Sequence, residues 1–137
     1  RATFAALAPA RSFEHTGNME ASDAVAALAA LAHDGRLAAF RLLVAAGPDG
    51  LAAGDLSRAL AVPPSTLSAS LATLSHAGLV SARRDGRRIL YAARLDRMAL
   101  LLDHLAADCC QGRPEVCAPL AATLARVACC PPPGAPA

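Results

Sequence analysis

The sequence predicts a mainly α-helical fold carrying one β-hairpin, on three observations. Alanine carries much of an apolar content of 55%, with only 3% aromatic residues, and alanine has the best intrinsic helix propensity. Apolar residues recur at helical spacing from Ala21 onward, with breaks at Gly47-Pro48 and Pro63-Pro64. The period then changes. LVSARR and RRILYAA flank Asp85-Gly86, and a DG pair between two strand-like runs is a strong hairpin signal.

Each element follows in order. A first helix runs from Ala21 to Leu31, with Val25, Leu28 and Leu31 on one side and Ser22 or Asp23 as N-cap. A second covers 35–46, groups Leu37, Phe40, Leu43 and Val44, and stops at Gly47-Pro48. A third spans about 52–60 with Leu56 and Leu60 inward. Pro64 suits the first turn of a fourth helix, whose buried stripe is Leu67, Leu71 and Leu74 and whose C′ residue is Gly78. After the hairpin a long helix runs from about Leu95 to Ala107, with Met98, Leu101, Leu102 and Leu105 apolar. PLAATLARVA, 119–128, makes one more short helix before a tail, CCPPPGAPA, whose composition suggests disorder.

Helix-turn-helix followed by a two-stranded ribbon is a winged helix-turn-helix, an architecture that reads double-stranded DNA. The fourth helix would enter the major groove with Ser65, Thr66, Ser68, Ala69 and Thr73 outward and His76 nearby. Their hydroxyls can bond phosphates or base edges. The helix has no Arg, Asn or Gln for bidentate base contacts, so direct readout is expected to be modest. All 13 basic residues are Arg, and Arg83, Arg84, Arg87 and Arg88 cluster on the hairpin, where they would neutralise phosphates. The apolar faces of 24–31 and 98–105 exceed the needs of one small core and point to a homodimer.

At 137 residues the chain makes one domain with some tail. Residues 1–18 lack periodicity and are expected to be a disordered upstream extension or an expression remnant. Residues 19–108 are expected to form the DNA-binding and dimerisation domain, and 109–137 a cysteine-rich C-terminal segment and tail. No apolar run reaches the roughly 18–20 residues of a membrane span. All five cysteines lie in the last 29 residues, unlike a secreted disulfide framework, so a cytoplasmic, reduced protein is expected.

The runs ALAALAHDGRLAAFRLL and GDLSRALAVPPSTLSASLATLSHAGLVSARRDGRRILYAA resemble the ArsR/SmtB family of metalloregulatory repressors over roughly residues 21–108. The resemblance implies a homodimer built from the first and last helices, which represses its own operon until an effector releases it from the operator. One departure is Ser70, where many relatives carry His.

Arsenite-sensing relatives often carry thiols on the third helix in a segment resembling CVCDLC. Here the matching AAGDLS puts Ala52, Gly54 and Ser57 in place of the sulfurs. Zinc-sensing relatives space Asp and His ligands along the last helix, whereas Asp103 and His104 are adjacent. What remains is Cys109, Cys110 and Cys117, resembling a subgroup of arsenite repressors with a CC pair and a third Cys just beyond the last helix. The chemistry agrees. As(III), or Sb(III), is soft and takes three thiolates. Adjacent cysteines on a regular helix diverge by about 100°, so both reach one ion only where the helix frays; Gly112 and Pro114 supply that break.

A divalent soft metal (Cd, Pb or Zn), recruiting His104 or Cys129 as fourth ligand, is an alternative effector. So is thiol oxidation, with Cys117 resolving either member of the pair. Cys129 and Cys130 are accessory thiols at most. An enzyme is not expected, because Cys109 and Cys110 would lie at a helix C-terminus, where the dipole raises a thiol's pKa. His15, His33, His76 and His104 are scattered.

Overall fold

The computed structural model describes residues 18–107 and 113–128. The elements are α1 (Ala21–Leu31), α2 (Asp34–Ala46), a 3-10 turn (Gly47–Asp49), β1 (Leu51–Ala52), α3 (Ala53–Leu60), α4 (Pro64–His76), β2 (Val80–Asp85), β3 (Arg88–Ala93), α5 (Leu95–Ala107) and α6 (Pro114–Ala128). The fold is mostly helical with a winged helix-turn-helix at its centre, as the periodicity predicts.

Local chemistry sets the helix ends. The His33 side chain caps α2 by accepting the Gly35 N–H at 3.1 Å. Pro64 opens α4, where its missing N–H is one of the unpaired donors of a first turn anyway. At the other end Leu79 N–H bonds Leu74 O and Gly78 N–H bonds Ser75 O, both at 3.0 Å. That is the Schellman pattern, with Gly78 at C′ as expected.

The core is built on Leu43, Leu56, Leu67, Leu71, Leu74 and Leu79, all fully buried. The face of α1 differs from expectation. Ala24, Ala27 and Ala30 are the buried residues, while Val25 and Leu28 are exposed. Small side chains let α1 approach its neighbours closely, and the larger ones are left on the outside. Its N-cap is Glu20, not Ser22 or Asp23. Leu37 and Val44 of α2 are likewise exposed, so its buried side reduces to Ala39, Phe40 and Leu43.

The sheet has three antiparallel strands in the order β1-β3-β2. The two-residue β1, absent from the sequence reading, pairs Leu51 with Tyr91 and Ala52 with Leu90. The hairpin pairs Asp85 with Arg88. Its loop is therefore Gly86-Arg87 and not Asp85-Gly86. Gly86 has φ 61°, which fits a type II′ turn matched to the strand twist.

Helix α6 begins at Pro114, earlier than the expected 119, so Pro119 lies inside it and Cys117 falls in its first turn. Val116, Leu120 and Leu124 are exposed along it. Among the described residues no helix is long and apolar enough to cross a membrane. The expectations for residues 1–17, for the tail at 129–137, and for Cys109, Cys110, Cys129 and Cys130 lie outside the described residues.

Candidate nucleic-acid interface

The joint between α3 and α4 is three residues long, 61–63. Ala61 takes a left-handed conformation, φ 52° and ψ 42°, which turns the chain. Ser57 braces it from α3: its hydroxyl donates to the Val62 carbonyl at 2.6 Å, and the Val62 N–H returns a bond to Ser57 O at 3.2 Å. Ser57 occupies a position where the resemblance led one to look for sulfur; here it serves the turn. Ser57→Ala is expected to cost about 1 kcal/mol, since the part-buried carbonyl loses its hydroxyl partner. Urea unfolding with an unchanged slope would check this.

On α4 the three leucines Leu67, Leu71 and Leu74 face the core, so Ser65, Thr66, Ser68, Ala69 and Thr73 all stand exposed on the outer side. His76 is exposed at the helix end. Thr73 is partly spent, because its hydroxyl donates to Ala69 O at 3.1 Å. The remaining face offers short side chains with hydroxyls and a methyl, suited to close approach and poor in long-range base contacts.

The four wing arginines are exposed but do not form one patch. Arg83 and Arg84 are adjacent on β2, so their side chains leave opposite faces of the strand. Arg83 turns back and donates to Asp49 O at 3.0 Å. Arg87 is in the turn. Arg88, the first residue of β3, donates through Nη2 to Asp55 Oδ2 at 2.9 Å. The other oxygen of Asp55 pairs with Arg58 on the same helix. Between α3 and the wing lies a groove of about 670 Å3 lined by Gly54, Asp55, Arg58, Ser68, Arg88 and Tyr91 among others.

Sequence reasoning missed Asp55. The acid in the first turn of α3 is visible in GDLSR, yet nothing there points to an arginine 33 residues away. At the foot of the wing, Arg94 donates to Asp96 at 2.7 Å. That hydrogen bond holds the Asp96 carboxyl below the usual carboxylate range.

The cysteine site is only partly on view. Cys117 is half-buried and disulfide-bonded; the other four cysteines lie outside the described residues. Among the described residues no group of three His, Cys, Asp or Glu side chains is placed to hold a metal ion. Ala52 is buried in the sheet edge and Gly54 carries no donor, so α3 has no sulfur site. Asp103 is exposed beside a half-buried His104 on α5.

A helix-turn-helix domain model matches residues 31–82, which span α2 to the start of the wing. The chain is 36% identical over 74 residues to the HTH-type transcriptional regulator YgaV of Escherichia coli (strain K12), covering 54% of this chain and 73% of the relative. Among solved structures it resembles an ArsR-like transcriptional regulator from Rhodococcus sp. RHA1, with TM-score 0.56 at 23% identity, over 77% of this chain and 90% of that one. It also resembles the homodimeric winged helix-turn-helix DNA-binding domain of a possible ArsR-family transcriptional regulator from Mycobacterium bovis. There the TM-score is 0.52 at 31% identity, over 64% of this chain and 80% of that one. Identity at that level, over most of each relative's own length, reaches past the shared fold. The chain belongs to the ArsR family of transcriptional regulators, whose helix-turn-helix binds DNA.

Proposed function

We propose that this regulator is a homodimeric repressor released from its operator when trivalent arsenic or antimony is captured by Cys109, Cys110 and Cys117. The observation that carries the effector reading is where Cys117 stands: in the first turn of α6, seven residues beyond Cys110 in the chain. Sulfur occurs nowhere else except Met and the tail pair Cys129-Cys130. The donor set is chemically apt, three soft thiolates for a soft three-coordinate ion, once Cys117 is reduced.

Dimerisation is supported by what α1 and α5 leave uncovered. The two helices pack on each other and expose Val25, Leu28, Leu102 and Leu105. A two-fold pairing there would set two α4 helices about one DNA turn apart. Metalloid capture would draw the start of α6 toward the end of α5, and so act on the dimerising helix. To switch almost fully, the ligand must favour the low-affinity dimer by about 5.5 kcal/mol.

One observation favours a second reading. Cys117 is disulfide-bonded, which makes thiol oxidation a candidate signal at the same cysteines. Fluorescence anisotropy of the reduced protein on duplex from its own promoter separates the two. Near-stoichiometric release by arsenite, lost in Cys110→Ser, is the expected result. Release by a mild oxidant with indifference to arsenite assigns the sensor to redox, and release by cadmium alone assigns it to a divalent metal.

A further inference from the structure

Asp55 is the one carboxylate that links the helix-turn-helix to the wing tip among the described ion pairs. Its two oxygens are divided: Oδ1 pairs with Arg58 of α3, and Oδ2 accepts from Arg88 of β3 at 2.9 Å. Both arginine side chains stay open to solvent, at 76% and 61% exposure, whereas Asp55 is more covered at 38%. Both guanidinium groups thus keep solvent-open surface while they hold the more covered carboxylate. Ser68, on the outer side of α4, lines the same groove.

We propose that Asp55 is an internal stand-in for a DNA phosphate. A phosphodiester presents two anionic oxygens, the same number and charge character that Asp55 now offers to two guanidinium groups. In the free protein the carboxylate holds one arginine of the helix-turn-helix and one of the wing at the spacing a single backbone phosphate would engage. On binding, that phosphate takes the open faces of Arg58 and Arg88, in competition with Asp55. The groove between α3 and the wing is then the seat of the backbone that runs between the base-reading helix and the wing. Asp55 keeps the pair pre-aligned and lowers their affinity for any phosphate, so contacts that carry no sequence information contribute less. This inference rests on the DNA-binding role of the family and adds to it a residue that restrains non-specific binding.

The isosteric Asp55→Asn removes the charge and retains an acceptor. Each phosphate neutralised by a cation contributes a salt slope of about 0.9, or about eightfold in affinity at 0.1 M salt. Asp55→Asn is therefore expected to tighten binding to random-sequence duplex by about three- to eightfold for each protomer, with a salt slope steeper by up to about one per protomer. The gain should vanish when Arg88→Ala is added. A circular dichroism melt confirms that the variant is folded. Weaker or unchanged binding of folded Asp55→Asn would overturn the inference and leave Asp55 a plain tether of the wing. Survival of the gain in the double variant would overturn it as well. A wild-type protein that bound no duplex at all would instead remove the DNA-binding reading itself, a distinct result.

Discussion

Replacing Arg83, Arg84, Arg87 and Arg88 together by Ala is expected to weaken binding of the dimer to operator duplex by about a thousandfold or more at 0.1 M salt. The figure follows from counterion release. If only two of the four neutralise a phosphate in each protomer, the loss is about eightfold for each. The slope of log affinity against log salt should fall by about two or more per protomer. The geometry makes a partial count reasonable, since Arg83 is engaged with Asp49 O and leaves the strand opposite to Arg84. Anisotropy titrations across a range of salt concentrations measure both quantities. An unchanged slope would show that the hairpin does not touch the backbone, and the affinity would then have to come from α4. Because the hairpin's exposed side chains carry little of the core, thermal stability should change only slightly.

Gly50→Ala is expected to be the most damaging single change to the fold. Gly50 has φ 72° and ψ −172°, a region open essentially to glycine alone. A Cβ built there would lie 2.3 Å from the Tyr91 carbonyl oxygen and 2.9 Å from its carbon. Those are backbone atoms of the central strand and cannot swing aside. Strain and forced displacement together should cost roughly 3–5 kcal/mol, or on the order of 15–25 °C in Tm for a domain of this size. Gly86→Ala is the internal comparison. Its φ is also positive, but nothing lies within 4 Å of the added Cβ, so only the backbone share, about 1 kcal/mol, is lost. Equal losses at the two sites would mean that the approach to Tyr91 relaxes freely.

Much of this molecule is legible in its sequence where a single local signal decides. Pro64 and Gly78 bracket α4 because one lacks a donor and the other closes a Schellman turn. The change of period at 79–93 announces the wing, and the outer face of α4 follows from its leucine stripe. Some of the differences depend on a partner element, others on a local signal that is too short or can be read two ways. Hydrophobicity ranks Val25 and Leu28 above alanine, yet whether α1 turns its alanines inward depends on how near the other helices come. Two residues at 51–52 are too few to show a strand period. The Asp55–Arg88 link joins residues that only the folded chain brings together. α6 starts at Pro114 because proline is welcome in a first helical turn; reading Pro114 purely as a breaker moved the helix five residues too late. The cysteine site rests on the family resemblance together with thiol chemistry, and of its three members the structure describes Cys117.

The short strand β1 has a consequence for the order in which the chain assembles. Leu51 pairs with Tyr91, so β1 closes a loop of about forty residues that contains all of α3 and α4. Local helix contacts form before such distant pairings are rewarded. During synthesis the helix-turn-helix can therefore gather as soon as α4 has emerged, while the wing stays unmoored until Tyr91 is available. The clasp at Leu51 is among the last contacts made and among the first whose loss would set the hairpin adrift.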